Sequence, residues 1–293
     1  MNKSIDIFLT ILEKQISNYA IQDKNIILFR QCAYALLLLK MLLIWPELSI
    51  FYRHGVKIGF ASLMPHKLFF LPFFHSCYNI YWLVACIVVG ISIFAKGNRL
   101  LSAAVVVISL NYLELTFRAY DTGDKLHNFL ILMLLFIHER AKKDSLRQMV
   151  NNAAVLIIQL HFCLMYFVNA YGKVIHPFWR DGSLLDSVWH LSYYTNSDFV
   201  PYWFFNPTLQ IITAWSVIVF EFMFPVLIWF KPYKKPLIYA GILFHISISI
   251  LLSIPDFCIT MIIVYLLFYD FKSSGEKNPK LITNSLQDNP STF

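Results

Sequence analysis

Gln159-Leu-His-Phe-Cys-Leu-Met-Tyr166-Phe-Val-Asn169-Ala-Tyr-Gly-Lys173-Val-Ile-His-Pro-Phe-Trp179-Arg-Asp-Gly182-Ser183 begins as an apolar helix and ends as a polar, aromatic loop. Together with the apolar residues before it, it reads as a membrane span that meets the water interface at Lys173, with Pro177 barring further helix. Steps of three and four residues return to one helix face, so Tyr166, Asn169 and Lys173 form a single stripe. Lys173 at the edge of the hydrocarbon has two readings. A poorly hydrated amine can act as a base, and an ordinary lysine can snorkel its ammonium to the headgroups.

The rest of the chain agrees with a membrane reading. Of its 293 residues 58% are hydrophobic and only 14% charged, against about 25% charged in a typical soluble domain. Apolar runs separated by short charged loops predict an all-α, polytopic membrane bundle of about eight spans, with interfacial amphipathic helices; a barrel would alternate in period two. The spans are expected near residues 26–45, 78–94, 100–117, a fourth beginning inside the polar stretch before residue 130, 149–171, 209–230, 237–253 and 256–271. Before them, Ile5, Phe8, Leu12, Ile16 and Tyr19 recur at helical spacing, and 1–25 is expected to lie in the interface as an amphipathic helix rather than act as a cleavable signal. Residues 26–271 form the membrane domain, and 272–293 a polar, disordered cytoplasmic tail.

The net charge of +7 is sorted by loop. With both termini cytoplasmic, most of the 24 lysines and arginines, among them Arg140, Lys142, Lys143 and Arg147, fall on the inner side. This places the protein in the plasma membrane with the bilayer, not nucleic acid, as its partner, and turns Lys173 outward. The loop from Lys173 to Pro207, rich in tryptophan and tyrosine, is expected to fold over the outer mouth as interfacial helices. The five cysteines show no metal spacing, and no metal site is expected. Cys77 and Cys258 both fall near the outer surface, which leaves a disulfide between them open.

Two constellations stand out. Glu221, His245 and His161 each lie roughly 12–18 Å along their spans, at about 1.5 Å per residue, and so near mid-bilayer. A buried carboxylate needs a partner, so Glu221 is expected to contact His245, His161 or both, as a polar clamp or a proton relay. The second pairs Lys173 with His127, a base with a group that orients or protonates a substrate. His127 and Asp124 open the fourth span, where they are either functional intramembrane groups or, for Asp124, a helix cap. No P-loop, G-x-G-x-x-G, H-E-x-x-H or serine triad competes with these.

Tyr166-Phe167, Lys173, Trp179-Arg180-Asp181-Gly182-Ser183, Glu221 with Pro225, Phe244-His245 and the phenylalanine-rich last span together resemble the HTTM domain. This is the membrane part of vitamin K-dependent gamma-carboxylase and its bacterial relatives. The Gly123-Asp124 turn and the stop after the last span look most like the bacterial sporulation-delaying protein B type. The resemblance implies Lys173 as the base that deprotonates a reduced naphthoquinone of the vitamin K kind, with His127 in support. It also implies that the chain works with partner maturation proteins on a secreted antimicrobial peptide.

Three function classes follow. One is an HTTM-type enzyme at the outer leaflet with carboxylase-like chemistry. Another is a non-catalytic membrane partner for assembly or immunity of a peptide-producing complex. The third, a transporter coupled to protons through Glu221 and His245, lacks the paired broken helices of known transporters.

Overall fold

Hydrocarbon offers backbone N–H and C=O groups no water, so a chain this apolar must satisfy them within its own helices. The computed structural model describes residues 23–49, 72–95, 97–116, 122–137, 145–191, 195 and 200–269, and these are mostly helical. The expected amphipathic segment up to residue 22, residues 50–71, most of the basic cluster at 139–147 and the tail at 272–293 lie outside the described residues.

The helices are α1 (Asp23–Ile44), α2 (Pro72–Phe94), α3 (Arg99–Leu115), α4 (Thr122–Leu134), α5 (Leu146–Ile175), α6 (Pro177–Arg180), α7 (Ser183–His190), α8 (Pro207–Leu227), α9 (Lys231–Leu252) and α10 (Pro255–Tyr265). Among the described residues, five helical segments are long and apolar enough to cross a membrane: Asp23–Glu47, Cys77–Phe94, Leu146–Ile175, Pro207–Leu227 and Lys231–Leu252. The helices at the three other expected spans, α3, α4 and α10, have 17, 13 and 11 residues, short of the roughly 20 that a span requires.

The shortest of these, α10, is the most enclosed. It contacts α1, α4, α5 and α9, and Cys258, Thr260, Met261, Val264 and Tyr265 are all buried. The turn that follows it is held by side chains from elsewhere in the bundle. Gln159 donates to Leu267 O at 2.9 Å, and Asn25 donates to Leu266 O at 2.8 Å and to Tyr269 O. Cys77 and Cys258 are not joined by a disulfide, and Cys258 is buried in the core.

Lipid tails are as apolar as leucine, so helix association here rests on packing and interhelical hydrogen bonds. Phe162 of α5 is wholly buried and makes edge contacts with Tyr166, Tyr265 and Phe224 at 5.1, 5.4 and 5.8 Å between centroids. Trp82 donates to Met41 O at 2.9 Å, Asn111 to the Tyr81 hydroxyl at 2.7 Å, and Ser109 to Asn128 at 2.6 Å. Outward faces carry Leu43, Ile80, Ile91, Val168, Val226 and Leu243, all exposed. Apolar surface of this extent is what a bilayer covers.

Candidate functional site

Helix α5 is 30 residues long, opened by Ser145, whose side chain accepts from Gln148 N, and closed by extended backbone at His176 before Pro177. The residue before a proline is driven out of helical geometry, so the chain turns sharply after Ile175. It continues as α6 and α7 over the end of α8. Gly182 makes the turn between α6 and α7 at φ +79°, and a Cβ there would lie 2.8 Å from Ile211 N. Only glycine allows both the backbone angle and the approach. Trp215 Nε1 donates to Arg180 O at 3.1 Å and Gln210 to Asp186 at 3.1 Å, tying this cover to α8. Within the cover, the hydroxyl and amide of Ser183 both donate to Asp181 and hold its carboxyl below the usual carboxylate range.

Beneath this cover lies a cavity of about 400 Å³, lined from α5, α6, α7, α8, α9 and α10. Tyr166, Asn169 and Lys173 present the expected stripe to it, and Trp179 stands at its rim. Lys173 Nζ donates to both carboxylate oxygens of Glu221, at 2.8 and 2.6 Å, and sits 5.1 Å from the centroid of the Trp179 ring. Both side chains are largely buried, at 16% and 7% exposure. Glu221 therefore takes Lys173 as its partner rather than the expected His245 or His161. A helical side chain leans toward its own N-terminus, so the long lysine reaches back from the interface to the depth of the glutamate.

His245 lines the same cavity but pairs differently. Its Nε2 meets the Tyr166 hydroxyl at 2.7 Å, and that hydroxyl meets the Tyr265 hydroxyl at 2.6 Å. The three groups join α5, α9 and α10 in one buried chain. A Cβ on Gly241 would collide with the Tyr265 hydroxyl, so glycine is what lets α9 approach this chain. His161 lies apart, its ring centroid 4.4 Å from that of Phe129 and tilted 41° to it.

His127 does not join Lys173. It is buried and meets Ala33 O at 2.9 Å through Nε2, binding α4 to α1. Three residues earlier on the same helix, Asp124 receives Lys40 at 2.8 Å, and Lys40 also lies 3.5 Å from Asp256. Lys40 and Asp124 are 2% and 7% exposed. Of this ion cluster the sequence singles out Asp124; its partner Lys40 lies 84 residues away in the chain. Tyr265, Trp189, Phe244 and Phe257, which line the cavity or close its hydrogen-bonded chain, carried no separate signal because aromatic residues recur throughout the sequence.

No family model, curated protein or solved structure matches the chain. Sequence and fold establish an all-helical, polytopic membrane protein with an ion-paired lysine and glutamate in an aromatic cavity.

Proposed function

We propose that the cavity binds a membrane-soluble ring compound with an acidic hydroxyl and that Lys173 and Glu221 together remove its proton. The observation that carries this reading is the Lys173–Glu221 pair in the wall of an aromatic cavity of about 400 Å³, within the usual range for small-molecule sites. Trp179, Phe244 and Phe257 supply apolar surface for a flat ring.

The proton balance follows from the pairing. In the ion pair Lys173 is an ammonium and Glu221 a carboxylate. A proton passes from Nζ to the carboxylate across their hydrogen bond, and the neutral amine then accepts the hydroxyl proton of the substrate. Lys173 ends as an ammonium beside the substrate oxyanion, and Glu221 ends as a neutral acid. Glu221 is thus the net proton acceptor and Lys173 both the relay and the countercharge, a division of labour that suits a water-poor site.

The resemblance carried by Tyr166 to Ser183 supports a reduced naphthoquinone as the compound, and so carboxylase-like chemistry of the HTTM kind. It also supports a biological setting in which a secreted peptide is modified with the help of partner proteins. The distribution of lysine and arginine supports an eight-span arrangement with both termini cytoplasmic and the cavity open toward the outer leaflet. His127, with Asp124, then supports the site from the neighbouring ion cluster instead of touching the substrate.

The test is oxygen consumption by the purified protein supplied with a reduced naphthoquinone, comparing wild type with Lys173→Ala and Lys173→Arg. Arginine keeps a cation opposite Glu221, but guanidinium does not release its proton in proteins. Turnover in wild type that is lost in both variants is expected; full activity in Lys173→Arg refutes proton transfer through residue 173.

One observation favours a second reading. An ion pair made to both carboxylate oxygens and flanked by a tryptophan can serve as a clamp between α5 and α8. A non-catalytic partner in an assembly or immunity complex would use it that way, and would retain its biological activity in Lys173→Arg.

A further inference from the structure

Helix α9 carries its charge at one end. Lys231 and Lys235 are four residues apart, one turn along the same face, and both are exposed. Tyr239, Leu243, Ile246 and Ile250 continue that stripe in steps of three and four and are exposed too, turned away from the buried Ile238, Gly241 and His245. From the first turn onward the stripe passes from cation to phenol to aliphatic carbon. Between Tyr239 and Ile250 it spans about 16 Å, at about 1.5 Å per residue, which is roughly the hydrocarbon depth of one leaflet.

The corner before α9 belongs to the same surface. Trp229, Phe230 and Tyr233 are exposed close to the lysines in the chain, the mixture of aromatic rings and long cations that settles at headgroup level. The first turn of α9 has no acidic residue, and among the described residues neither Lys231 nor Lys235 joins an ion pair. Lys235 Nζ lies 6.0 Å from the centroid of the Tyr269 ring, a neutral neighbour that leaves its charge in place. A helix dipole opposes cations in the first turn, so the two lysines do not serve the helix. They put two positive charges one turn apart at the head of an apolar track.

We infer that this face of α9 binds an anionic glycerophospholipid, its phosphate received by Lys231 and Lys235 and an acyl chain lying along Tyr239, Leu243, Ile246 and Ile250. A zwitterionic lipid brings its own ammonium to the same place and loses most of that attraction, so charge selects the headgroup. The apolar track selects a lipid over a soluble phosphate. The site lies at the end of α9 away from the cavity, whose α9 lining runs from Phe244 to Leu252. It is independent of the proton transfer proposed there, and neither reading depends on the other.

The test is thermal unfolding of the purified full chain in non-ionic detergent, titrated with phosphatidylglycerol, with phosphatidylcholine of the same acyl chains and with glycerol 3-phosphate. Phosphatidylglycerol is expected to bind about tenfold or more tightly than phosphatidylcholine, since each lysine near an anionic headgroup is worth about fivefold. Glycerol 3-phosphate is expected to give no stabilisation at the same concentration. In about 1 M salt, where charges act only within about 3 Å, the preference should fall to about twofold or less. Lys231→Gln combined with Lys235→Gln is expected to remove the preference, and Lys231→Arg combined with Lys235→Arg to keep it within about threefold of wild type. Arg180→Gln, which removes one charge from the cover of the cavity, is expected to leave it unchanged.

Equal binding of the two lipids by wild type overturns the inference without recourse to any variant, and assigns the face to bulk hydrocarbon. Equal stabilisation by glycerol 3-phosphate overturns it by giving the lysines to a soluble anion. A preference that survives in the glutamine pair overturns it as well, because the anionic lipid then binds elsewhere on the chain.

Discussion

Breaking the Lys173–Glu221 pair offers a measurement on the protein itself, independent of any substrate. Removing one member of a buried ion pair costs about 3–5 kcal/mol, because the survivor is left charged and poorly solvated. Lys173→Met strands Glu221, whose side chain is 7% exposed, and should cost about 3 kcal/mol, the low end of that range. Glu221→Gln should cost less, about 2 kcal/mol: the amide oxygen still accepts from Nζ, the lysine keeps 16% exposure, and Trp179 remains at 5.1 Å. The double variant removes both charges and should be no worse than the poorer single one, giving a coupling of about 2 kcal/mol. Thermal unfolding of the purified protein in detergent reads this as a fall of roughly 6–12 °C for Lys173→Met and roughly 4–8 °C for Glu221→Gln, at about 2–4 °C per kcal/mol, with no fall in the double beyond that of Lys173→Met. If the two single effects simply add, the side chains do not form a pair in the folded protein, and the proton transfer proposed between them has no basis.

Lys40→Met should destabilise by about 3 kcal/mol or more, since it leaves Asp124 buried beside Asp256, and Lys40→Met combined with Asp124→Leu should recover most of the loss; the same unfolding assay decides. Gly241→Ala should lower the unfolding temperature, because its methyl group meets the Tyr265 hydroxyl; unaltered unfolding would mean that α9 and α10 lie further apart. Gly182→Ala should be destabilising through both its φ of +79° and the crowding at Ile211 N, and a neutral result would contradict the turn. The contribution of Asp181 to folding, from a carboxyl held below its ordinary value of 3.8, is fully present above that value and disappears as pH falls through the lowered one. Ser183→Ala should therefore flatten the acid limb of a stability profile.

Hydropathy and spacing made the membrane class, the helix positions and the α5 stripe legible, because those depend on local periodicity. Lengths were less legible. The last apolar run extends to residue 271, yet helix α10 ends at Tyr265 and is only 11 residues long; it is packed against four helices, and Gln159 and Asn25 hold the turn that follows it. The stripe of Tyr166, Asn169 and Lys173 and the importance of Glu221 were visible as polar residues in apolar helices. Their partners were not.

Pairing depends on rotation and depth of helices far apart in sequence, which hydropathy does not encode. Lys173 and Glu221 are 48 residues apart, Tyr166 and His245 79, and Lys40 and Asp124 84. Each separation brings two helices together at one height, and a quarter-turn of either would exchange the partners; hence the expected Glu221–His245 contact became two different pairs in the same cavity. From its sequence alone this chain is a helical membrane protein with an interfacial lysine on an aromatic stripe, because apolar length and 3.6-residue periodicity suffice for that. Only the tertiary structure decided that the lysine answers to Glu221, that His127 meets Ala33 O beside the Lys40 ion cluster, and that His245 joins Tyr166, because long-range packing alone sets which buried groups meet.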